Sequence, residues 1–232
     1  MIEHSGTVTS TGTTSAPEAG VTSLLGVLAY GELMAFFDVA RVAEMAPTVP
    51  SQQALGALAA REYSVFEQLS ARLRELGADP AEAMQPFHEP FDNWHARITP
   101  ADWHEGLMKI YAGSAIATDF YRELTDVLDP ATADMIRRAL PDDEQAAIAR
   151  TALLEAIAQD ERLAGRLALL GRRMMGEALS QAQLVALIND DLLDLIMDRG
   201  TGQGFDLVGF QQLLTRLGEK HTRRMAALGL DA

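Results

Sequence analysis

Along four long segments of this chain, apolar residues recur every three or four positions, and each apolar stripe is broken by one carboxylate. The second segment is the clearest. Leu55, Leu58, Ala59, Glu62, Val65, Phe66, Leu69 and Leu73 fall on one helix face, and Glu62 alone among them is charged. Glu32 stands the same way among Leu25, Leu28, Ala29, Ala35, Phe36 and Val39, and Asp160 among Leu153, Ala156, Ile157, Leu163, Ala164 and Leu167. Asp119 lies beside Ile116 and Phe120, with Glu123 one turn on as the competing acid of that helix. A carboxylate buried alone costs several kcal/mol even after relaxation. One such residue reads as a paired core acid. Four at matching depth on four helices read as a set converging on a cation, and a metal is the usual one.

The order of segments supports a bundle. Residues 1–20 are rich in Ser, Thr and Gly and read as a disordered tail, without the basic start and apolar centre of a secretory signal. A single helical domain is expected over 21–229. Its first helix runs from Val21 to Glu44, before Pro47, and its second from an N-cap at Ser51 to Gly77, forming an antiparallel hairpin. Residues 78–99, crowded with Pro80, Pro86, Pro90 and aromatic residues, have no clear period and read as a long crossover. Thr99 and Pro100 start a third helix, which reaches about Val127. A short helix follows over 131–140. A fourth long helix starts at Asp142, Asp143 and Glu144 and passes Asp160 to Leu179. Helices over 181–198 and 206–227 flank the glycine-rich turn Gly200–Gly204. No segment alternates with a two-residue period, so the fold class is all-α, a four-helix core with additional C-terminal helices.

Composition excludes several chemistries. The 232 residues include no cysteine, which removes disulfides, thiolate metal sites and cysteine nucleophiles. The net charge of -14 gives no general attraction for nucleic acid or an anionic membrane surface. No uninterrupted apolar run reaches the length of a membrane span, and the cytoplasm is the expected compartment. His88, His95 and His104 match no ligand spacing and read as surface or loop-packing histidines. Arg216, Lys220, Arg223 and Arg224 read as charge complementing the end of the last helix, with an RNA contact as the competing reading. Asp190, Asp191, Asp194 and Asp198 read as a solvated helix face. The Gly200–Gly204 turn lacks the Lys-Ser or Lys-Thr of a phosphate loop.

Carboxylate-bridged metal pairs in ferritin-like bundles use one Glu from each of two helices and Glu-x-x-His from each of two others. Glu32 and Asp119 fit the first kind of helix, Glu62 and Asp160 the second, but Val65 and Leu163 stand where the histidines belong. The runs Arg61-Glu62-Tyr63-Ser64-Val65-Phe66-Glu67-Gln68 and Gln159-Asp160-Glu161-Arg162-Leu163 resemble the two Glu-x-x-His helices of the nonhaem diiron tRNA hydroxylases. Those enzymes oxidise the isopentenyl group of 2-methylthio-isopentenyl-adenosine. The resemblance covers roughly residues 21 to 175. It implies a ferritin-like four-helix bundle, a metal site at Glu32, Glu62, Asp119 and Asp160, Fe or Mn as the cofactor, and tRNA as a partner. Loss of both imidazoles leaves an all-oxygen set that weakens iron and favours Mn, Mg or Ca. Three outcomes stay open: a hydroxylase-type oxidoreductase, a weak dinuclear or single metal site, and a metal-free bundle serving as a structural or partner module, with the acids paired to cations such as Arg122. A homodimer fits each of them.

Overall fold

The computed structural model describes residues 16–140, 143–197 and 207–231, and no strand occurs among them. The expected tail up to residue 15, the Gly200–Gly204 turn and Asp198 lie outside the described residues.

The helices are α1 (Ala16–Glu44), α2 (Val49–Glu75), α3 (Pro80–Met84), α4 (His88–Arg97), α5 (Trp103–Met108), α6 (Ala115–Leu124), α7 (Pro130–Ala139), α8 (Asp143–Gln159), α9 (Glu161–Ile188), α10 (Asp190–Ile196) and α11 (Leu207–Ala226). Helix α1 starts five residues before the expected Val21. Its first turns pack on α10, where a Cβ at Gly20 would meet the Asp191 carbonyl oxygen at 2.8 Å. Residues 19–44 are long and apolar enough to cross a membrane, yet half of the most apolar window is buried within the protein. That apolar surface serves the core.

Helix α2 begins one turn earlier than expected, because Thr48 rather than Ser51 is the cap: the Ser51 N–H donates to Thr48 Oγ1 at 3.2 Å. Gly77 closes α2 at φ +79°, a conformation glycine reaches without strain. Together α1 and α2 form the expected hairpin.

Three other expectations fail for local reasons. Within the expected crossover, residues 80–97 are helical. Asp79 accepts from the Ala81 and Glu82 N–H groups, Pro80 takes the first helical position, and fully buried Phe87 anchors the segment in the core. The third helix is capped by Asp102, whose Oδ1 accepts from the Glu105 N–H at 3.0 Å, and Thr99 instead donates to carbonyls of the preceding helix. Between α5 and α6, residues Lys109–Ser114 form a π turn. Such a turn inserts one residue and rotates everything beyond it by about 100° relative to a uniform helix. The expected fourth helix is broken at Asp160, which has φ -142° and ψ 102° and caps α9. Helix α9 then runs on to Ile188, past the expected end at Leu179, and Asn189 caps α10.

Buried side chains form two clusters stacked along the bundle. One holds Leu25 and Leu28 of α1, Val65 and Leu69 of α2, and Ile116 and Leu124 of α6. The other holds Val39 and Val42 of α1, Leu55 and Leu58 of α2, and Leu153, Leu163 and Leu167 of α8 and α9. Glu32 and Glu62 occur between these two sets along their helices.

Candidate functional site

The structure brings two of the four predicted acids together. Glu32 and Glu62 are 6% and 5% exposed, and their carboxyl groups are hydrogen-bonded to each other. Burial pushes Glu32 well above the ordinary carboxylate range, and the Glu62 charge adds to the shift. Burial also raises Glu62, against the hydrogen bond from Glu32 and the charge of Arg61. Two buried carboxyls in contact need a proton or a cation between them, since both cannot carry unscreened charge there. Tyr121 of α6 is buried beside it, and burial followed by the Glu32 and Glu62 charges drives its phenol strongly up. The Tyr121 hydroxyl fits against Gly31, where any Cβ would collide with it.

The other two acids go elsewhere. Asp119 faces α11: Arg224 Nη2 donates to its Oδ2 at 2.8 Å, and Lys220 Nζ lies 3.7 Å from its Oδ1. Glu123, the competitor, is bound by Arg216 at 2.7 Å and Lys220 at 3.0 Å. The basic stripe Arg216, Lys220 and Arg224 is therefore an internal zipper against α6. These are the inward cations, whereas Arg122 is exposed. Asp160 is exposed, and its Oδ1 accepts from the Arg162 N–H at 2.9 Å. An aspartate is among the best N-caps, and here that local role breaks the helix and turns the carboxylate away from the core.

One pair of buried carboxyls, one acid neutralised by arginine and lysine, and one at the surface do not make up the four-acid dinuclear set expected from the sequence. The positions for imidazoles carry Val65 and Leu163, which are buried in different apolar clusters. Among the described residues no three metal-ligating side chains converge.

The opening in the bundle lies next to the acid pair. A cavity of about 180 Å³ is bounded by α1, α4, the third helix and the C-terminal helices, with a lining dominated by apolar residues such as Val27, Phe91, Ile116, Phe120 and Leu192. Gly31 and Tyr121 line it too, so the tyrosine forms wall on the side of Glu32 and Glu62. Charge enters the wall at one cluster. Asp38 Oδ2 lies 2.9 Å from both His95 Nδ1 and Lys109 Nζ, and the two nitrogens are 3.0 Å apart. Arg41 donates to Asp38 Oδ1 at 3.0 Å. Burial alone would raise the Asp38 carboxyl, but His95 and Lys109 outweigh it and hold the group below its usual range. Burial pulls the Lys109 ammonium down against the attraction of Asp38. Lys109 is 5% exposed and sits 5.0 Å from the centre of the Trp94 ring, a cation–π contact. Trp94 Nε1 and Gln181 Oε1, on two further cavity-lining residues, are buried without a hydrogen-bond partner among the described residues. An apolar cavity with a few polar groups and perturbed pKa values is the arrangement of a small-molecule site.

The sequence reads His95, with Trp94 beside it, as loop packing and gives Asp38, Lys109 and Gln181 no role. One signal was available. Lys109 is one of two lysines in the chain and interrupts the run Leu107-Met108-Lys109-Ile110-Tyr111-Ala112. A lysine in such a run is either exposed at a helix edge or buried with a partner.

The comparisons with known proteins reach the fold. In the search of solved structures, the chain is similar to protein 19 with aldehyde deformylating oxidase activity from Synechococcus, with TM-score 0.71, 17% identity and 94% of each chain covered. No curated protein matches the sequence. The ferritin-like domain described for actinomycetes matches over residues 16–199. The all-α bundle expected from the sequence is thus confirmed as ferritin-like, while the finer likeness to tRNA hydroxylases still rests on its short motifs alone. The chain belongs to the ferritin-like domain family of actinomycetes.

Proposed function

We propose that this protein is a ferritin-like bundle adapted to bind a small apolar molecule in the cavity between α1, α4, α6 and α9. The observation that carries the reading is the cavity itself: about 180 Å³ lined mainly by apolar side chains, with its charged residues gathered at Asp38, His95 and Lys109. An apolar cavity of about 150 Å³ in a protein core is large enough to take up benzene. Glu32 and Glu62 do not line the cavity, so binding there does not involve them.

A tRNA substrate is disfavoured. Of the α11 residues that would supply a basic surface, Arg216, Lys220 and Arg224 are engaged with Asp119 and Glu123, and Arg223 is the exposed remainder. A second reading, oxidoreductase activity at Glu32 and Glu62, is supported by the retention of these two acids and by the fold shared with a protein of aldehyde deformylating oxidase activity. Two carboxyl groups are fewer donors than a metal pair requires. That reading predicts Fe or Mn retained in near-stoichiometric amount and lost from Glu62→Ala.

The test of the first reading is thermal unfolding with straight-chain alcohols of increasing length, beside Ala117→Phe, which narrows the cavity. We expect a rise in Tm that peaks for chains of about six to ten carbons. The rise should vanish in the variant. A flat response in the parent protein overturns the proposal.

A further inference from the structure

We infer that the cavity takes a medium-chain carboxylic acid, with its chain among the apolar side chains and its carboxylate against Lys109 and Trp94. This rests on the cavity reading above and names the head group that the wall selects.

The charge at the wall favours an anion. Asp38 is the acid of the cluster, and both its oxygens are taken, Oδ2 by His95 and Lys109 and Oδ1 by Arg41. One carboxylate against Lys109 at the wall and Arg41, 61% exposed on the far side of Asp38, leaves the cluster positive whether His95 is neutral or charged. Such a local excess stands out in a chain of net charge -14.

The donors favour an anion as well. A lysine ammonium has three hydrogens. Asp38 and His95 account for at most two of those on Lys109. The indole N–H of Trp94 is buried with no acceptor among the described residues, although Trp94 lines the cavity. The Gln181 side chain also lines it, with its oxygen unpartnered, and an amide can turn to present its NH₂ instead. A carboxylate accepts from several such donors through two oxygens. An alcohol has one oxygen to offer. An ammonium would meet Lys109 with like charge.

Cavity size sets the chain length. Scaling from an approximately 150 Å³ site that holds the six carbons of benzene, 180 Å³ corresponds to about seven carbons. Octanoate matches that length and is ionised at neutral pH.

The experiment is calorimetric titration of the 232-residue chain with sodium octanoate, 1-octanol and octylamine, repeated on Lys109→Met, Trp94→Phe and Ala117→Phe. We expect octanoate to bind about tenfold or more tightly than octanol, the scale of one charge-assisted hydrogen bond. Lys109→Met should bring octanoate to the level of octanol, and Ala117→Phe should remove both. Trp94→Phe keeps the ring and deletes one donor, so it carries the test if Lys109→Met does not fold. It should weaken octanoate several-fold, as loss of a single hydrogen bond does, and leave octanol unchanged. Octanol binding as tightly as octanoate, octylamine binding more tightly than either, or octanoate affinity unmoved in Trp94→Phe overturns the inference. The first two of those results leave the apolar-cavity reading standing. No binding of any of the three to the folded parent overturns both.

Discussion

Glu32→Gln tests the acid pair most directly. The two buried carboxyls bond to each other, and the one held further above its ordinary pKa keeps the proton. Burial, with the Glu62 charge adding to it, raises Glu32 well above its ordinary value, so Glu32 holds a proton at pH values where a free glutamate has lost it. In the unfolded chain the same group releases its proton near its ordinary value of 4.5. From there up to the folded-state pKa, the native protein binds one proton more than the unfolded chain. Stability therefore falls as pH rises through this window and is greatest at its acid end. The slope is at most about 1.4 kcal/mol per pH unit while one extra proton is held. A glutamine amide donates the same hydrogen bond with no proton to lose. Urea unfolding of parent and variant from about pH 4.5 upward, with chelator present, should show the difference moving in the variant's favour as pH rises. Parallel profiles would refute the shared proton. So would a variant weaker by about 2 kcal/mol at every pH, the mark of a carboxylate pair that had been holding a cation.

The remaining predictions concern the acids and bases around this pair. Asp119→Ala should cost about 3 kcal/mol in urea unfolding, because it leaves the Arg224 guanidinium, 19% exposed, facing α6 without its carboxylate. Adding Arg224→Met should recover part of that loss, which a double-mutant cycle measures. His221 is held below its ordinary 6.5, first by burial and then by Arg224, so the native state binds fewer protons there and stability drops as pH falls through 6.5. His221→Phe should remove this acid-side loss, at most about 1.4 kcal/mol per pH unit, as read from unfolding at about pH 5.5 and 7.5. Asp160→Ala should behave as the loss of a helix cap, about 1 kcal/mol, with bound metal unchanged after incubation with Mn(II). A stoichiometric metal that vanishes in this variant would restore Asp160 to a metal site.

The helical periodicity of this chain was legible because burial imposes it residue by residue. The stripes through Glu32 and Glu62 place both acids correctly, since α1 and α2 are uninterrupted and joined by a short turn. Counting fails where the helix departs from 3.6 residues per turn. The π turn at Lys109–Ser114 rotates α6, so Asp119 meets α11 while Tyr121 turns toward the acid pair. Asp160 fails for a different reason. A short acid amid apolar residues can be a buried ligand or a cap that ends one helix and starts the next, and the apolar stripe around it continues across the break. The crossover hid its order because Asp79 and Pro80, read as loop residues, are equally a helix start.

The charged cluster was illegible for a reason that spacing cannot repair. Asp38, His95 and Lys109 come from α1, α4 and the π turn, and no local pattern links positions so far apart. Each has a bland reading by itself: an i, i+3 partner for Arg41, a packing histidine, a lysine in a helix. Their meeting depends on the same departures from regularity that misled the count. The fold of residues 80–97 into helices brings His95 and Trp94 against α1, and the π turn begins at Lys109. Two irregular segments thus converge on one cavity wall, and π turns occur disproportionately at functional sites. Of the positions expected to hold metal ligands, Glu32 and Glu62 are buried together, Asp119 is ion-paired, Asp160 is exposed and Val65 and Leu163 are apolar, whereas the cavity wall gathers Asp38, His95 and Lys109. That is where substitutions should alter ligand binding while leaving the bundle folded, and the acid pair is where they should alter stability while leaving ligand binding intact.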